Sequence, residues 1–265
     1  MVRKMILTVL LFVFAIPALA SAHVGKTNLV DVRIVSDGGF ESPMYRTYPT
    51  PRQEGSFFYL EAVKGSRYFI QVTNRSGARI GVVIAVDGRN IISGRKSDLK
   101  QNEQMYIVGP HETSTFEGWR TGMDRTNRFY FTDAPDSYAE RVFADASAMG
   151  TVAIAAFREK VPEKSLKMQD APAGAAAPRA SGGSPSADRS ERKSSELAGT
   201  GFGETTHSPA RRVHFEAEPT HAEKFVLKYE WRSELCRKGI IPCGPKNRFW
   251  PDDTEFAPIP KDFRG

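Results

Sequence analysis

From Leu29 to Phe157 the chain is cut into short β-branched and aromatic runs, each closed by Gly, Asn or Asp. This punctuation restricts the fold more than any other feature. Leu29–Val35 alternates apolar with polar residues and stops at Asp37, Gly38 and Gly39. Ser56–Val63 ends at Lys64-Gly65, Arg67–Thr73 at Asn74–Gly77, and Arg79–Val86 at Asp87-Gly88. A period of two places successive side chains on opposite sheet faces, and the closing residues are those that tolerate tight turns. The apolar run Val82–Val86 reads as a central strand covered on both faces. Further strands are expected at 104–108, 114–119, 128–132 and 151–157, with one short helix near 136–143. Short strands at this spacing define a mainly β chain, an antiparallel β-sandwich of Ig-like or jelly-roll type, over residues 23–160.

Residues 161–200 change character. Between Asp170 and Ala187 the chain is almost entirely Ala, Pro, Ser and Gly, and no aromatic residue occurs between Phe157 and Phe202. So little apolar surface cannot offset the entropy of ordering, and a disordered linker is expected. Beyond it, 201–265 reads as a basic C-terminal segment. Arg211–Ala217 and Lys224–Trp231 alternate and are expected to pair as a hairpin across 218–223, followed by a proline-rich tail. Two strands alone are marginal in water, so the hairpin calls for the sandwich or a partner.

The N-terminus carries an export pattern. Arg3 and Lys4 precede the apolar stretch Met5–Ile16, Pro17 breaks it, and Ala20-Ser21-Ala22 supplies small residues for cleavage. The run is too short to span a bilayer, so residues 1–22 are expected to be a removed signal peptide. The mature chain would have no transmembrane segment. No cysteine lies near the cleavage point to carry a lipid, which predicts a periplasmic or secreted location. The formal charge of +6 falls to +4 once Arg3 and Lys4 are removed, and that excess is thinly spread. Nucleic-acid binders concentrate basic groups on one face, so no nucleic-acid partner is expected.

An oxidising compartment permits disulfides. Cys236 and Cys243 are the only cysteines, and Gly239 and Pro242 between them suit a tight loop, which favours a structural disulfide over a zinc or redox site. One local charge concentration exists. Lys224, Lys228, Arg232, Arg237, Lys238, Lys246 and Arg248 stand against Glu230 and Glu234, and could meet an anionic partner.

Catalytic spacing is weak throughout. No Gly-x-Ser-x-Gly elbow occurs, and Glu112, Glu117, Asp124 and Asp133 are carboxylates of a kind any β protein of this size carries. His207, His214 and His221 recur every seven residues but fall in strand and loop, and they read as surface histidines. His23 would become the N-terminus after cleavage at Ala22, where amine and imidazole could chelate copper with His111 as a second ligand. Trp119 with Arg120, and Phe129-Tyr130-Phe131, read as sandwich core rather than as an aromatic binding face.

Taken together, Val86–Gly94, Gly118–Arg120, Phe129–Thr132 with Asp136–Ala139, Leu227–Arg232 and Leu235–Ile241 resemble an uncharacterised family of exported bacterial β-sandwich proteins. The resemblance implies an exported bacterial protein with an ordered β domain and a basic C-terminal segment. It brings no activity, cofactor or catalytic residue. The sequence therefore predicts a non-enzymatic binding or structural protein, without a cofactor, that contacts an envelope polymer, another envelope component or a partner protein. The competing reading is an extracytoplasmic copper-binding protein or enzyme using His23.

Overall fold

The computed structural model describes residues 29–47, 55–160 and 197–243. The expected signal peptide and the expected linker up to residue 196 lie outside the described residues. In chain order the strands are β1 (Val30–Ser36), β2 (Met44–Thr47), β3 (Ser56–Ala62), β4 (Arg67–Asn74), β5 (Ile80–Val86), β6 (Arg89–Asn90) and β7 (Tyr106–Val108). They continue with β8 (Thr113–Phe116), β9 (Gly118–Arg120), β10 (Arg125–Asp133), β11 (Thr151–Arg158), β12 (Ala198–Thr200), β13 (Thr205–His207) and β14 (Glu223–Trp231). Two short helices, α1 (Tyr138–Phe143) and α2 (Arg232–Arg237), complete the set.

The strands form two seven-stranded sheets, the sandwich that the alternation predicts. One runs β1-β4-β10-β12, with β8 paired to β4 and β9 and β13 to β10. The other runs β2-β3-β14-β11-β5-β6, with β7 on β5. Inward residues of both sheets share one core that includes Val32, Ile34, Phe58, Leu60, Ile70, Ile84, Phe129, Ile154, Phe225 and Leu227. Strand β5 is buried at every position, as its unbroken apolar run requires. Its second face meets Phe157, Leu99, Met105 and Ala217. At its end Asp87 (φ 48°) and Gly88 (φ 76°) occupy left-handed backbone, the pair needed for a tight turn into β6.

The C-terminal segment departs from expectation. Strand β14 pairs parallel with β3 and antiparallel with β11, in the interior of the second sheet. Residues 211–217 do not form the other arm of a hairpin. They run past the end of β11, where only Ala217 makes a bridge, to Glu159. The reason lies in the side chains. Phe225, Leu227 and Tyr229 are fully buried between two strands and the opposite sheet, whereas Arg211, Arg212, His214 and Glu216 carry charge or polarity and remain exposed. A hairpin partner would satisfy one edge of β14; the slot between β3 and β11 satisfies both.

The end of the expected linker is likewise strand. Ala198–Thr200 pairs with Phe131–Asp133, and a Cβ on Gly199 would stand 2.7 Å from Ser137 Cβ and 2.8 Å from Met149 Sδ. Small residues, read from sequence as lacking material to bury, are here what leaves room for the Ser137 and Met149 side chains. Among the described residues no helix is long and apolar enough to cross a membrane.

Candidate functional site

Strand β10 alternates as a half-buried strand should. Phe129 and Phe131 point into the core with Tyr68 stacked on both, at ring-centroid distances of 5.4 and 4.3 Å. Tyr130 therefore faces outward. Trp119 is buried too, edge-on to Phe129 at 5.3 Å. Most of the aromatic residues assigned to the core from sequence do lie there, and Tyr130 alone reaches a surface groove.

The groove is closed by α1 and by the loop after β12. Ala134–Asp136 forms a single 3₁₀ turn around Pro135, and Ser137 caps α1 by accepting from the Glu140 N–H. Ala144 in left-handed backbone ends the helix after six residues. This brings Tyr138 onto Trp119 at 4.5 Å and under Phe202, stacked at 5.3 Å. Phe143 meets the edge of Tyr138 and is covered by the Arg89 guanidinium at 4.0 Å, itself held by Asp145 at 2.6 Å.

Phe202 is 42% exposed, yet its backbone is tightly fixed. Gly201 N–H donates to the Tyr130 carbonyl, and Gly203 N–H to the Arg128 carbonyl, each at 2.9 Å. Trp119 Nε1 donates to the Gly201 carbonyl at 3.0 Å and Asn127 Nδ2 to the Gly203 carbonyl at 2.9 Å. A Cβ on Gly201 would collide with the Tyr130 ring, and one on Gly203 would stand 2.8 Å from the Arg128 carbonyl oxygen. Glycine on both sides is therefore what allows the loop to lie on β10 and hold one aromatic ring outward. The resulting groove, of about 500 Å³, is lined by Tyr130, Asp136, Tyr138, Arg141, Val142 and Phe202. The Gly-Phe-Gly triplet is the sequence signal that marks it.

A second constellation is buried. Asp87 Oδ1 accepts from Tyr229 Oη at 2.6 Å and from Gly150 N at 2.8 Å, and Oδ2 accepts from Thr200 N at 2.7 Å. Thr200 Oγ1 lies 2.7 Å from both Tyr229 Oη and Tyr68 Oη. Burial pushes the Asp87 carboxyl up to about 6 against the opposing pull of these donors. Burial also raises the Tyr229 and Tyr68 phenols above their ordinary value, with the Asp87 charge adding to it. Asp87 is 1% exposed and walled in by its own strands, so the cluster serves to join β5, β11, β12 and β14.

Four residues of the basic patch have partners within the fold. Lys228 Nζ donates to the Met149 carbonyl, Arg232 pairs with Glu61 at 3.0 Å, Arg237 with Glu234, and Lys238 with Glu230. Lys224 is half-buried on β14, and Lys246 and Arg248 lie outside the described residues. Cys236 and Cys243 are joined in a disulfide, with Cα atoms 5.1 Å apart. Gly239, at φ 69°, turns the chain after α2 to make that closure. His23 lies outside the described residues. His111 sits exposed in a turn at φ 54°. His207 and His214 are exposed, and His221 packs edge-on to Phe157. Among the described residues no three of His, Cys, Asp and Glu converge as a metal site.

Fold and groove together define a β-sandwich whose C-terminal strands complete both sheets and present an aromatic groove at the surface. Comparison with protein-family models, curated proteins and solved structures returns no match to this chain.

Proposed function

We propose that the protein is an exported, non-enzymatic binding protein that contacts an envelope component or a partner protein through the groove between α1 and the 201–203 loop. The observation that carries this reading is the exposed Phe202 on a backbone held by four hydrogen bonds. The part of the ring left in water beside the Tyr138 stack gains nothing for the fold, whereas an immobilised aromatic loses little entropy when a ligand covers it. The basic patch supports a binding role less, since Lys228, Arg232, Arg237 and Lys238 already have partners inside the molecule. The non-enzymatic part of the reading draws on Asp87. This carboxyl, strongly shifted toward neutrality, is enclosed where no substrate reaches.

Export rests on the N-terminal pattern of Arg3, Lys4, the apolar run and the Ala20–Ala22 site, and on the disulfide of Cys236 with Cys243. The test uses the full mature chain and its Phe202→Ala variant as baits on a detergent-solubilised cell envelope. The reading expects material retained by the first and lost from the second. Equal retention by both removes the groove from the function.

A further inference from the structure

We infer that the groove takes a hexopyranose ring of a polysaccharide, an inference that rests on the binding role proposed above and adds the chemistry of the ligand. Its apolar side is formed by Phe202, Tyr138 and Val142. Phe202 stacks on Tyr138 with one face and is 42% exposed, and Val142 is 57% exposed. The same groove is lined by three residues with polar ends, Tyr130, Asp136 and Arg141. Among the described residues none of the three forms an ion pair or side-chain hydrogen bond within the fold, unlike most charged residues on neighbouring strands.

That combination selects by charge. An anion meets Asp136, a cation meets Arg141, and a purely apolar ligand would strip water from both without replacing it. A neutral ligand that carries donors and acceptors around an apolar face satisfies all of them. A pyranose has this form: its axial C–H bonds lie against an aromatic face, and its vicinal hydroxyls donate to a carboxylate and accept from a guanidinium fork. The open groove of about 500 Å³ also suits rings of a continuing chain rather than an enclosed small molecule.

The experiment applies the full mature protein to two polysaccharide sources, purified peptidoglycan sacculi by co-sedimentation and lipid-free outer-membrane polysaccharide by calorimetry. The variants are Phe202→Ala, Asp136→Asn and Arg141→Gln, all at exposed positions. The inference expects binding to at least one source, weakened tenfold or more by Phe202→Ala and at least threefold by each polar variant. Binding to one source and not the other identifies which polymer supplies the ring. No binding to either source overturns the pyranose assignment. If the envelope baits still capture a protein in a Phe202-dependent way, the binding role stands and its ligand is a polypeptide. Saccharide binding that all three variants retain overturns the placement in this groove. Unchanged thermal unfolding of the variants separates loss of binding from loss of fold.

Discussion

The hydroxyl of Tyr229 donates to Asp87 Oδ1 at 2.6 Å, joining residues 142 positions apart. Tyr229 belongs to the strand that fills the second sheet, and Asp87 to the turn that ends β5. Around this bond Gly150 and Thr200 donate their backbone N–H groups, so one carboxyl gathers β5, β11, β12 and β14. The phenols of Tyr68 and Tyr229 are the titratable groups whose electrostatics couple to this carboxyl among the described residues.

The carboxyl titrates near 6 in the folded state, above its unfolded value of 3.8. A group raised by folding contributes its stability in the protonated form. That contribution is full below about pH 4, declines as pH rises and is gone above about pH 6. On protonation the Tyr229 hydroxyl can turn to accept from the Asp87 carboxyl and donate instead to Thr200 Oγ1. Asp87→Asn carries no such charge, and its amide nitrogen must face a donor whichever way it is turned. The stability gap between wild type and Asp87→Asn should therefore narrow by about 2 kcal/mol between pH 4 and pH 7. Urea unfolding across that range measures it, and a constant gap would show that Asp87 is ionised throughout.

Tyr229→Phe keeps the ring and removes the hydroxyl, leaving Asp87 and Thr200 each without one partner. The expected loss is roughly 1–3 kcal/mol in urea midpoint experiments. Phe202→Ala, which removes an exposed ring, should change stability by no more than about 0.5 kcal/mol. The opposite ranking would make Phe202 a structural residue and remove its role as a presented surface.

Strand β14 has ladder partners on both sides and three fully buried apolar or aromatic side chains. A protease site introduced between residues 161 and 196 should therefore give two fragments that co-elute from a sizing column after complete cleavage. They should separate only in denaturant, since the disulfide lies within the C-terminal fragment. Separation in native buffer would contradict the placement of β14.

The disulfide ties the last turn of α2, at Cys236, to Cys243; Leu235 just before it and Ile241 within the closed loop are both buried. Its removal by the double substitution Cys236→Ser and Cys243→Ser should cost about 2 kcal/mol. Amide exchange in β4, β5 and β10 should be unaffected at their slowest sites except through global stability. A thiol assay of the native protein should find no reactive cysteine.

Gly201→Ala brings a methyl group into the Tyr130 ring. The ring or the loop must move, so the variant should remain folded, lose roughly 1–3 kcal/mol and lose groove binding together with Phe202→Ala. A Gly201→Ala protein that binds as wild type would show that Phe202 does not depend on its glycine flanks.

Local patterning alone determined most of the strands. Residues 29–35, 56–63, 67–73, 79–86 and 151–157 carry their own alternation, and the turns between them carry their own glycine and asparagine. The burial of β5 followed from its continuous apolar run, and the disulfide from there being just two cysteines. What local pattern cannot encode is which edge a strand will meet. Lys224–Trp231 reads as a strand wherever it pairs, and only the open slot between β3 and β11 decided that it lies inside the second sheet instead of beside Arg211–Ala217. The same holds for Ala198–Thr200, whose small side chains argue for disorder in isolation and for close packing once Ser137 and Met149 stand opposite. The groove was legible only as a Phe between two glycines and a Tyr on the outer phase of β10. Tertiary contact made it a groove, because Phe202, Tyr130 and Arg141 come from elements that meet only when β12 closes on β10. Side-chain periodicity is a property of a few neighbouring residues, whereas a strand's partner is chosen by the apolar area and unpaired edges of the whole sheet.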